Sequence, residues 1–308
     1  MEVWTVPSED AGRCLRDLLR NRMGLSSTAL KTAKWNGRIL VNGLPARQRD
    51  PLRAGDVITV EFPGPVPRYA PRPWDFPLTV PWEDDRLLVV DKPAPLASQS
   101  SAGKPDNSLE NAVCCHLGSP PDFIYRPVNR LDRGTSGLMV IAKDAHAQDL
   151  LQRMLHTPDF LREYLALTEG IPSPPEGVID LPIGKVDAAS VRREVRRDGQ
   201  RAVTRYRVLQ TQGGRALVRL RLETGRTHQI RVHLSALGCP VCGDFLYGQE
   251  LPDEFPRRFA LHSARLRLRH PFTGEWLDLF SPPPWKSGPA LSPARWASEE
   301  PFPPETPG

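Results

Sequence analysis

An aspartate flanked by arginines is the first candidate for a reacting group. Asp132 lies in the block NRLDRGTSG, between Arg130 and Arg133 and just before an apolar run. Neighbouring guanidinium groups keep a carboxylate ionised, so Asp132 could act as a nucleophile or a base but not as an acid. A loop aspartate can also cap the backbone amides that follow it, and this block alone leaves both interpretations open.

A second block, LETGRTHQIRVHL, places a histidine and an arginine at helical spacing. His228 and Arg231 are three positions apart and share one helix face, away from Ile230 and Leu234. An arginine this close to an apolar face usually has a carboxylate partner. His228 is either part of a site or a structural hydrogen-bonding residue, and the pattern does not separate the two.

The cysteines favour buried thiols over a metal site. Cys239 and Cys242 have the spacing of half a zinc site, but such a site needs a second, well-spaced pair. The other close group contains two adjacent cysteines, Cys114 and Cys115. Five cysteines in 308 residues suit a reducing compartment. We therefore expect no metal site at these cysteines.

Composition excludes several classes of protein. The chain is 39% hydrophobic and 25% charged, which suits a folded protein of about two domains. Its apolar runs, such as Leu87–Val90, are far shorter than the ~20 residues of a membrane span. The N-terminus lacks a signal-peptide pattern. We expect a cytoplasmic monomer with no membrane partner.

The positive charge is concentrated in two separate regions. The net charge is +5, with 10 Lys and Arg against 7 acids in residues 1–62 and 12 Arg against 4 acids in residues 187–233. The rest of the chain therefore carries a net charge of −6. Two basic regions are typical of a protein that binds nucleic-acid phosphates.

Proline divides the chain into four parts. We predict an N-terminal domain over residues 1–62, a stiff proline-rich linker over 63–78, a large domain over 79–282, and a disordered proline-rich tail over 283–308.

The N-terminal part has the pattern of a small basic α+β domain. An apolar helical stripe around Leu18 is followed by a second predicted helix that carries Lys31 and Lys34. A strand over Arg38–Val41, an Asn-Gly turn and a strand over Asp56–Phe62 complete the unit. This order resembles the S-four RNA-binding module of a ribosomal small-subunit protein. By that resemblance Lys31 and Lys34 would bind RNA; the alternative is a small domain whose charges are merely solvated.

The large domain contains many strands and few helices. Three strands (Leu87–Val90, Leu138–Ala142 and Glu163–Thr168), two later hairpins and the helices Ala145–Met154 and Thr227–Leu237 are predicted from the hydrophobic period. This balance predicts an α+β fold in which helices flank a mixed, largely antiparallel sheet.

Several blocks in order carry a resemblance to a known family. The aspartate and arginine blocks, together with WEDDRLLVVDKP, REYLALTEG, GCPVCGDFLYG and FALHSARLRLRHPFTGE, resemble the RluA-type (large-subunit) pseudouridine synthases over residues 79–282. The resemblance implies a long mixed β-sheet with a central cleft, and isomerisation of uridine to pseudouridine in structured RNA without a cofactor.

Residue roles follow from the same resemblance. Asp132 matches the catalytic aspartate, Tyr164 the tyrosine that packs against the target base, and Arg231 the arginine that ion-pairs with the aspartate. Arg130 matches the motif arginine that meets RNA around the displaced nucleotide. The remaining substrate-binding candidates are Arg133, Arg226 and His228.

Two positions depart from the family pattern, which often has His at Asn129 and Asp at Gly134. Both flank the aspartate, so the departures bear on hydrogen bonding in the loop. The favoured substrate is large-subunit ribosomal RNA. The alternatives are a transfer-RNA-directed enzyme, or a non-catalytic RNA-binding or ribosome-assembly protein on the same fold.

Overall fold

The first strands of the chain form a four-stranded antiparallel sheet of their own, in the order β1-β4-β2-β3. The computed structural model describes residues 2–23, 25, 30, 38–61, 71–100, 107–187, 190–285 and 302. The elements of this part are β1 (Glu2–Thr5), α1 (Leu15–Asn21), β2 (Arg38–Val41), β3 (Leu44–Pro45) and β4 (Val57–Glu61). At the β2–β3 turn, Asn42 and Gly43 have φ values of 52° and 78°, as a two-residue hairpin requires.

This N-terminal sheet has a hydrophobic core separate from the rest of the molecule. Leu15, Leu18 and Leu19 of α1 pack against Ile39 of β2 and Ile58 of β4. The predicted helix stripe and strand β2 are confirmed. The second predicted helix, with Lys31 and Lys34, lies outside the described residues.

A nine-stranded sheet forms the body of the molecule, in the order β5-β6-β7-β14-β8-β13-β12-β9, with β15 paired to β14. Its strands are β5 (Thr79–Glu83), β6 (Leu87–Lys92), β7 (Ser136–Ala142), β8 (Phe160–Glu169), β9 (Glu176–Asp180), β12 (Val203–Gln212), β13 (Arg215–Leu222), β14 (Leu261–Arg269) and β15 (Trp276–Phe280). Strands β10 (Ile183–Lys185) and β11 (Arg193–Val195) form a separate pair. Among the described strands of the large sheet, only β7 and β14 pair in parallel, so the predicted mixed, largely antiparallel sheet is confirmed.

In the described part of the body, three helices pack on this sheet. They are α2 (Leu109–His116), α3 (Ala145–Met154) and α4 (Gln229–Ala236). Apolar side chains of α2 and α4 share one core with Tyr164, whereas α3 packs in a second core on the other face of β6 and β7. The bounds predicted for α3 are confirmed. None of the described helices is long and apolar enough to cross a membrane.

Strand β6 is longer than its apolar residues suggest. The strand was predicted over Leu87–Val90, but the charged residues Asp91 and Lys92 also belong to it. The Lys92 side chain is fully buried, and its Nζ donates hydrogen bonds to the carbonyls of Pro93 (3.1 Å) and Leu96 (2.7 Å). Burial lowers the pKa of Lys92 to about 7. A buried lysine can stay in the strand because backbone carbonyls solvate its amine.

The predicted linker and tail both contain residues that pack on the body. Trp74 and Phe76, within the segment predicted as a linker, lie against the core that contains Tyr164. In the segment predicted as a disordered tail, Trp285 packs on the same core. Phe302 is buried, and its ring lies 4.9 Å from the guanidinium of Arg219. The described parts of both segments are therefore bound to the body.

Candidate active site

Asp132 lies in the loop that leads into β7. Ser98 holds this loop through two hydrogen bonds. Its Oγ donates to the Leu131 carbonyl (2.6 Å) and accepts from the Leu131 amide (3.2 Å). The Thr135 amide donates to the backbone carbonyl of Asp132, so the carboxylate is not needed to cap that amide. The side chain of Asp132 is 27% exposed, which leaves it accessible from the cleft.

Arg231 joins the two blocks that the sequence keeps 99 positions apart. It lies in the first turn of α4 and is buried. Its Nη1 donates to Asp132 Oδ2 at 2.9 Å, so the expected ion pair is present.

Asp244 is a second carboxylate on the same guanidinium, and the sequence analysis missed it. It is fully buried, with Oδ2 2.6 Å from Nε and Oδ1 2.7 Å from Nη2 of Arg231. This bidentate contact fixes the plane of the guanidinium and leaves Nη1 free to bind Asp132. The available signal was an acid in the block GCPVCGDFLYG, together with a buried arginine that needs more than one partner.

Two aromatic rings enclose the same guanidinium. The Arg231 carbon Cζ lies 4.2 Å from the centre of the Phe259 ring and 4.9 Å from that of Tyr247. Phe259 also explains one departure from the family pattern, because a Cβ at Gly134 would lie 2.5 Å from its ring. The space beside the aspartate loop is filled by an aromatic ring, which leaves no room for a side chain at position 134.

His228 precedes α4 in a left-handed conformation, with φ of 60°. Its Nδ1 is hydrogen-bonded to Tyr247 Oη (2.8 Å), and its Nε2 lies 3.9 Å from Asp132 Oδ2. Burial lowers the pKa of His228, and the charge of Asp132 opposes that shift. The ring is therefore held at the site and is largely neutral near pH 7.

Tyr164 enters the cleft from β8. It is 4% exposed. Burial raises the pKa of Tyr164, and the charge of the neighbouring Arg162 partly offsets that rise. A small pocket of about 60 Å³ joins Tyr164, Asp132 and Arg231 to apolar walls from Leu222 and Ile230. A carboxylate, an arginine and a flat ring between apolar walls can hold a planar base beside an ionised oxygen.

An outer cleft of about 650 Å³ continues from this pocket. Arg130 and Arg226 line both with exposed side chains, and their contact with substrate stays a prediction. Arg133 is exposed but does not line either cavity. Adjacency in sequence to Asp132 therefore did not place Arg133 at the cleft, because successive loop residues point in different directions.

The second basic region is partly neutralised by neighbouring acids. Arg207 Nε lies 2.9 Å from Glu176 Oε2, and Arg215 Nη1 lies 2.7 Å from Glu254 Oε2. Both acids lie outside residues 187–233. The formal charge of residues 187–233 thus overstates the positive potential that this region offers to RNA.

Cys239 and Cys242 are both buried, and burial raises the pKa of Cys242 to about 12. No group of three or more potential metal ligands occurs among the residues that the structure describes. We expect the Cys239→Ala and Cys242→Ala variants to retain activity, because a buried thiol of high pKa is a poor ligand and nucleophile. Metal analysis of the purified protein, with activity assayed before and after a chelator, checks this. Stoichiometric zinc, or inactivation by the chelator, would contradict it.

Comparison with known proteins identifies the family. Residues 86–236 match the model of the RNA pseudouridylate synthase family. The chain is 37% identical over 299 residues to the ribosomal large subunit pseudouridine synthase D of Xanthomonas campestris, covering 91% of this chain and 88% of the relative. The enzyme of the same name from Pseudomonas aeruginosa is 36% identical over 301 residues, covering 91% of each chain.

Solved structures agree with this assignment. Human RNA pseudouridylate synthase domain containing 4 superposes with a TM-score of 0.54 at 29% identity, covering 67% of this chain and 88% of that chain. Human RNA pseudouridylate synthase domain containing 1 gives a TM-score of 0.55 at 26% identity, covering 68% and 84%. The chain belongs to the RNA pseudouridylate synthase family. It is an isomerase that acts on RNA, with the α+β fold predicted from its sequence.

Proposed function

We propose that this protein converts uridine to pseudouridine in large-subunit ribosomal RNA and that Asp132 is its catalytic group. The observation that carries the proposal is the Asp132 carboxylate, bound by Arg231 at 2.9 Å beside the Tyr164 ring in one pocket. The ribosomal substrate is supported by the names of relatives that match about nine-tenths of the chain.

The proposed chemistry moves uracil from nitrogen to carbon on the same ribose. The N1–C1′ bond breaks, the base turns within the pocket, a C5–C1′ bond forms, C5 loses its proton and N1 gains one. Asp132 either attacks C1′ directly or removes the 2′ proton to give a glycal. Both routes need the carboxylate to be held toward the ribose, and Arg231 Nη1 fixes its position through a hydrogen bond of 2.9 Å.

The other residues have supporting roles in this proposal. Tyr164 and the apolar walls hold the detached base, as aromatic rings hold flipped bases in other proteins. Arg130 and Arg226, at the mouth of the pocket, bind the RNA around the displaced nucleotide. His228, whose Nε2 lies 3.9 Å from Asp132 Oδ2, contacts the same nucleotide. Taking uridine out of its stack costs a few kcal/mol, which phosphate contacts must offset.

Mapping tests the choice of substrate. Pseudouridines are mapped in cellular RNA from strains with the intact gene, without it, and with an Asp132→Asn copy. We expect one or a few large-subunit sites to disappear in both altered strains. Loss of transfer-RNA sites with unchanged ribosomal RNA would instead support the transfer-RNA alternative.

We further propose that residues 1–62 form an S-four RNA-binding domain that supplies affinity and not chemistry. Its separate sheet and core support an independent unit, and its formal charge is +3. Among its described contacts with the body is a hydrogen bond of 2.8 Å between the Met23 carbonyl and His146 Nε2. Lys31 and Lys34 are the residues proposed to meet RNA.

Deleting residues 1–62 should preserve isomerisation of short RNA fragments but weaken binding to long structured RNA. Each lost phosphate contact should reduce the magnitude of the slope of log K against log salt by about 0.7 to 0.9. Salt titrations of binding and single-turnover rates on a short fragment measure the two effects. The full-length Lys31→Ala/Lys34→Ala variant, which keeps the domain, is the matched control for lost charge. A truncated protein that stays folded but acts on no substrate would show that the domain belongs to the active site.

A further inference from the structure

Arg162 differs from the other buried arginines of the molecule. The described residues contain three that are more than nine-tenths buried: Arg162 at 6%, Arg219 at 1% and Arg231 at 2% exposure. Arg219 Nη2 lies 2.5 Å from Glu163 Oε1, and Arg231 binds two aspartates. Arg162 has no carboxylate within ion-pair distance among the described residues.

Two donor atoms of Arg162 are also unsatisfied, although its side chain interacts with the Tyr164 hydroxyl. Its Nε and Nη2 are buried and have no hydrogen-bond partner among the residues that the structure describes. A buried guanidinium without an acceptor is costly, and buried polar groups in folded proteins are nearly always paired. The missing acceptor is therefore expected to come from a bound molecule.

The strand decides where that molecule would lie. Side chains alternate along β8, so Arg162 and Tyr164 share one face, while Glu163 between them points to the opposite face and meets Arg219. Arg162 and Tyr164 both line the outer cleft. The acid nearest in sequence is thus on the wrong side of the sheet to neutralise Arg162.

The cleft around Arg162 is positively charged. Arg130 and Arg226 line it as well, and Asp132 is the one acidic residue among the described residues of its lining. Arg231 already binds Asp132 at 2.9 Å. An anion, and not a cation, is the ligand that this lining would attract.

We propose that Arg162 binds a backbone phosphate of the RNA next to the target uridine. This inference rests on the proposed function. A guanidinium presents paired N–H donors that match two phosphate oxygens, and its planar fork is held rigid by burial. Because Arg162 adjoins Tyr164, a phosphate fixed there would anchor the strand beside the base that turns in the pocket.

Salt dependence of binding tests the proposal. Full-length Arg162→Met, Arg162→Gln and Arg162→Lys proteins are each combined with Asp132→Asn, so that turnover does not alter the RNA. They are titrated with a fragment of large-subunit ribosomal RNA at several salt concentrations. Arg153→Met in the same background is the matched control, because Arg153 is an exposed arginine on α3 that pairs with Asp149.

Arg162→Met and Arg162→Gln should each bind about tenfold or more weakly and lower the salt slope by about 0.7 to 0.9, the value of one phosphate contact. Arg162→Lys should keep the slope, since the charge remains, and lose a few-fold in affinity. Arg153→Met should match the parent protein. Circular dichroism shows whether each variant is folded. Because there are two uncharged variants, the test can still be made if one of them misfolds.

An unchanged slope in folded Arg162→Met or Arg162→Gln would overturn the proposal, as would an equal change in Arg153→Met. Binding is measured separately from turnover. If the Arg162 variants show the slope change but the wild-type protein, with Asp132 intact, forms no pseudouridine in the same RNA, the phosphate site is supported and the proposed function is overturned.

Discussion

Asp132→Asn is expected to abolish isomerisation, with turnover reduced about 10⁴-fold or more, while RNA affinity changes only a few-fold. The amide has the shape of the carboxylate but can neither attack C1′ nor remove the 2′ proton, and loss of a reacting group costs orders of magnitude. Affinity should persist because most contacts that position RNA are made to phosphates, away from this carboxylate.

Single-turnover measurement of pseudouridine formation, with RNA binding measured in parallel, checks the Asp132→Asn prediction. Asp198→Asn is the matched control, because Asp198 is a surface residue 72% exposed that pairs with Arg196. It should leave both quantities unchanged. Residual turnover of Asp132→Asn above about a hundredth of the wild-type rate would show that Asp132 is not the reacting group.

Asp244→Asn should lower the rate of the chemical step by about 10²-fold, although Asp244 does not line the pocket. A group displaced by about 1 Å from its position in an active site can cost that much. The carboxylate binds Nε and Nη2 of Arg231 and so fixes the direction of Nη1 toward Asp132. In the variant, the amide NH₂ would face guanidinium N–H groups, donor against donor, and Arg231 would lose its orientation. Breaking one partner of a buried pair should also destabilise the protein by about 3–5 kcal/mol.

Separate measurement of kcat and KM distinguishes this positioning effect from weaker binding, because kcat should fall with little change in KM. Chemical denaturation measures the change in the free energy of unfolding. Asp198→Asn again serves as the control, since it makes the same substitution in an exposed Arg–Asp pair. A normal kcat in folded Asp244→Asn would show that Arg231 holds its position without the second carboxylate.

Periodicity and turn residues were sufficient to predict much of the fold. The bounds of α3, the strand β2 with its Asn-Gly turn, and the mixed antiparallel sheet follow from hydrophobic spacing and local turn chemistry. The predicted strand Leu87–Val90 was too short because its end was placed before the charged residues Asp91 and Lys92. The burial of Lys92 depends on carbonyls supplied by the following loop, which local pattern does not reveal.

The candidate site was predictable only where one residue type required another. A buried arginine required a carboxylate, and Arg231 has Asp132 within 2.9 Å. Asp244 and Phe259 reach the same guanidinium from other parts of the chain, and only the folded structure brings them there. Arg162 is also buried, but no carboxylate among the described residues pairs with it. The proposed phosphate site rests on that difference.

Release of hydrogen from C5 tests the central claim most directly. Forming the C5–C1′ bond expels the C5 hydrogen to solvent, so RNA labelled with tritium at C5 of every uridine reports the reaction whichever uridine is modified. Purified wild-type protein with large-subunit ribosomal RNA should release tritium in amounts equal to the pseudouridine formed, and the Asp132→Asn protein should release none. Binding of that RNA by folded wild-type protein without tritium release, or equal release by the Asp132→Asn protein, would contradict the account.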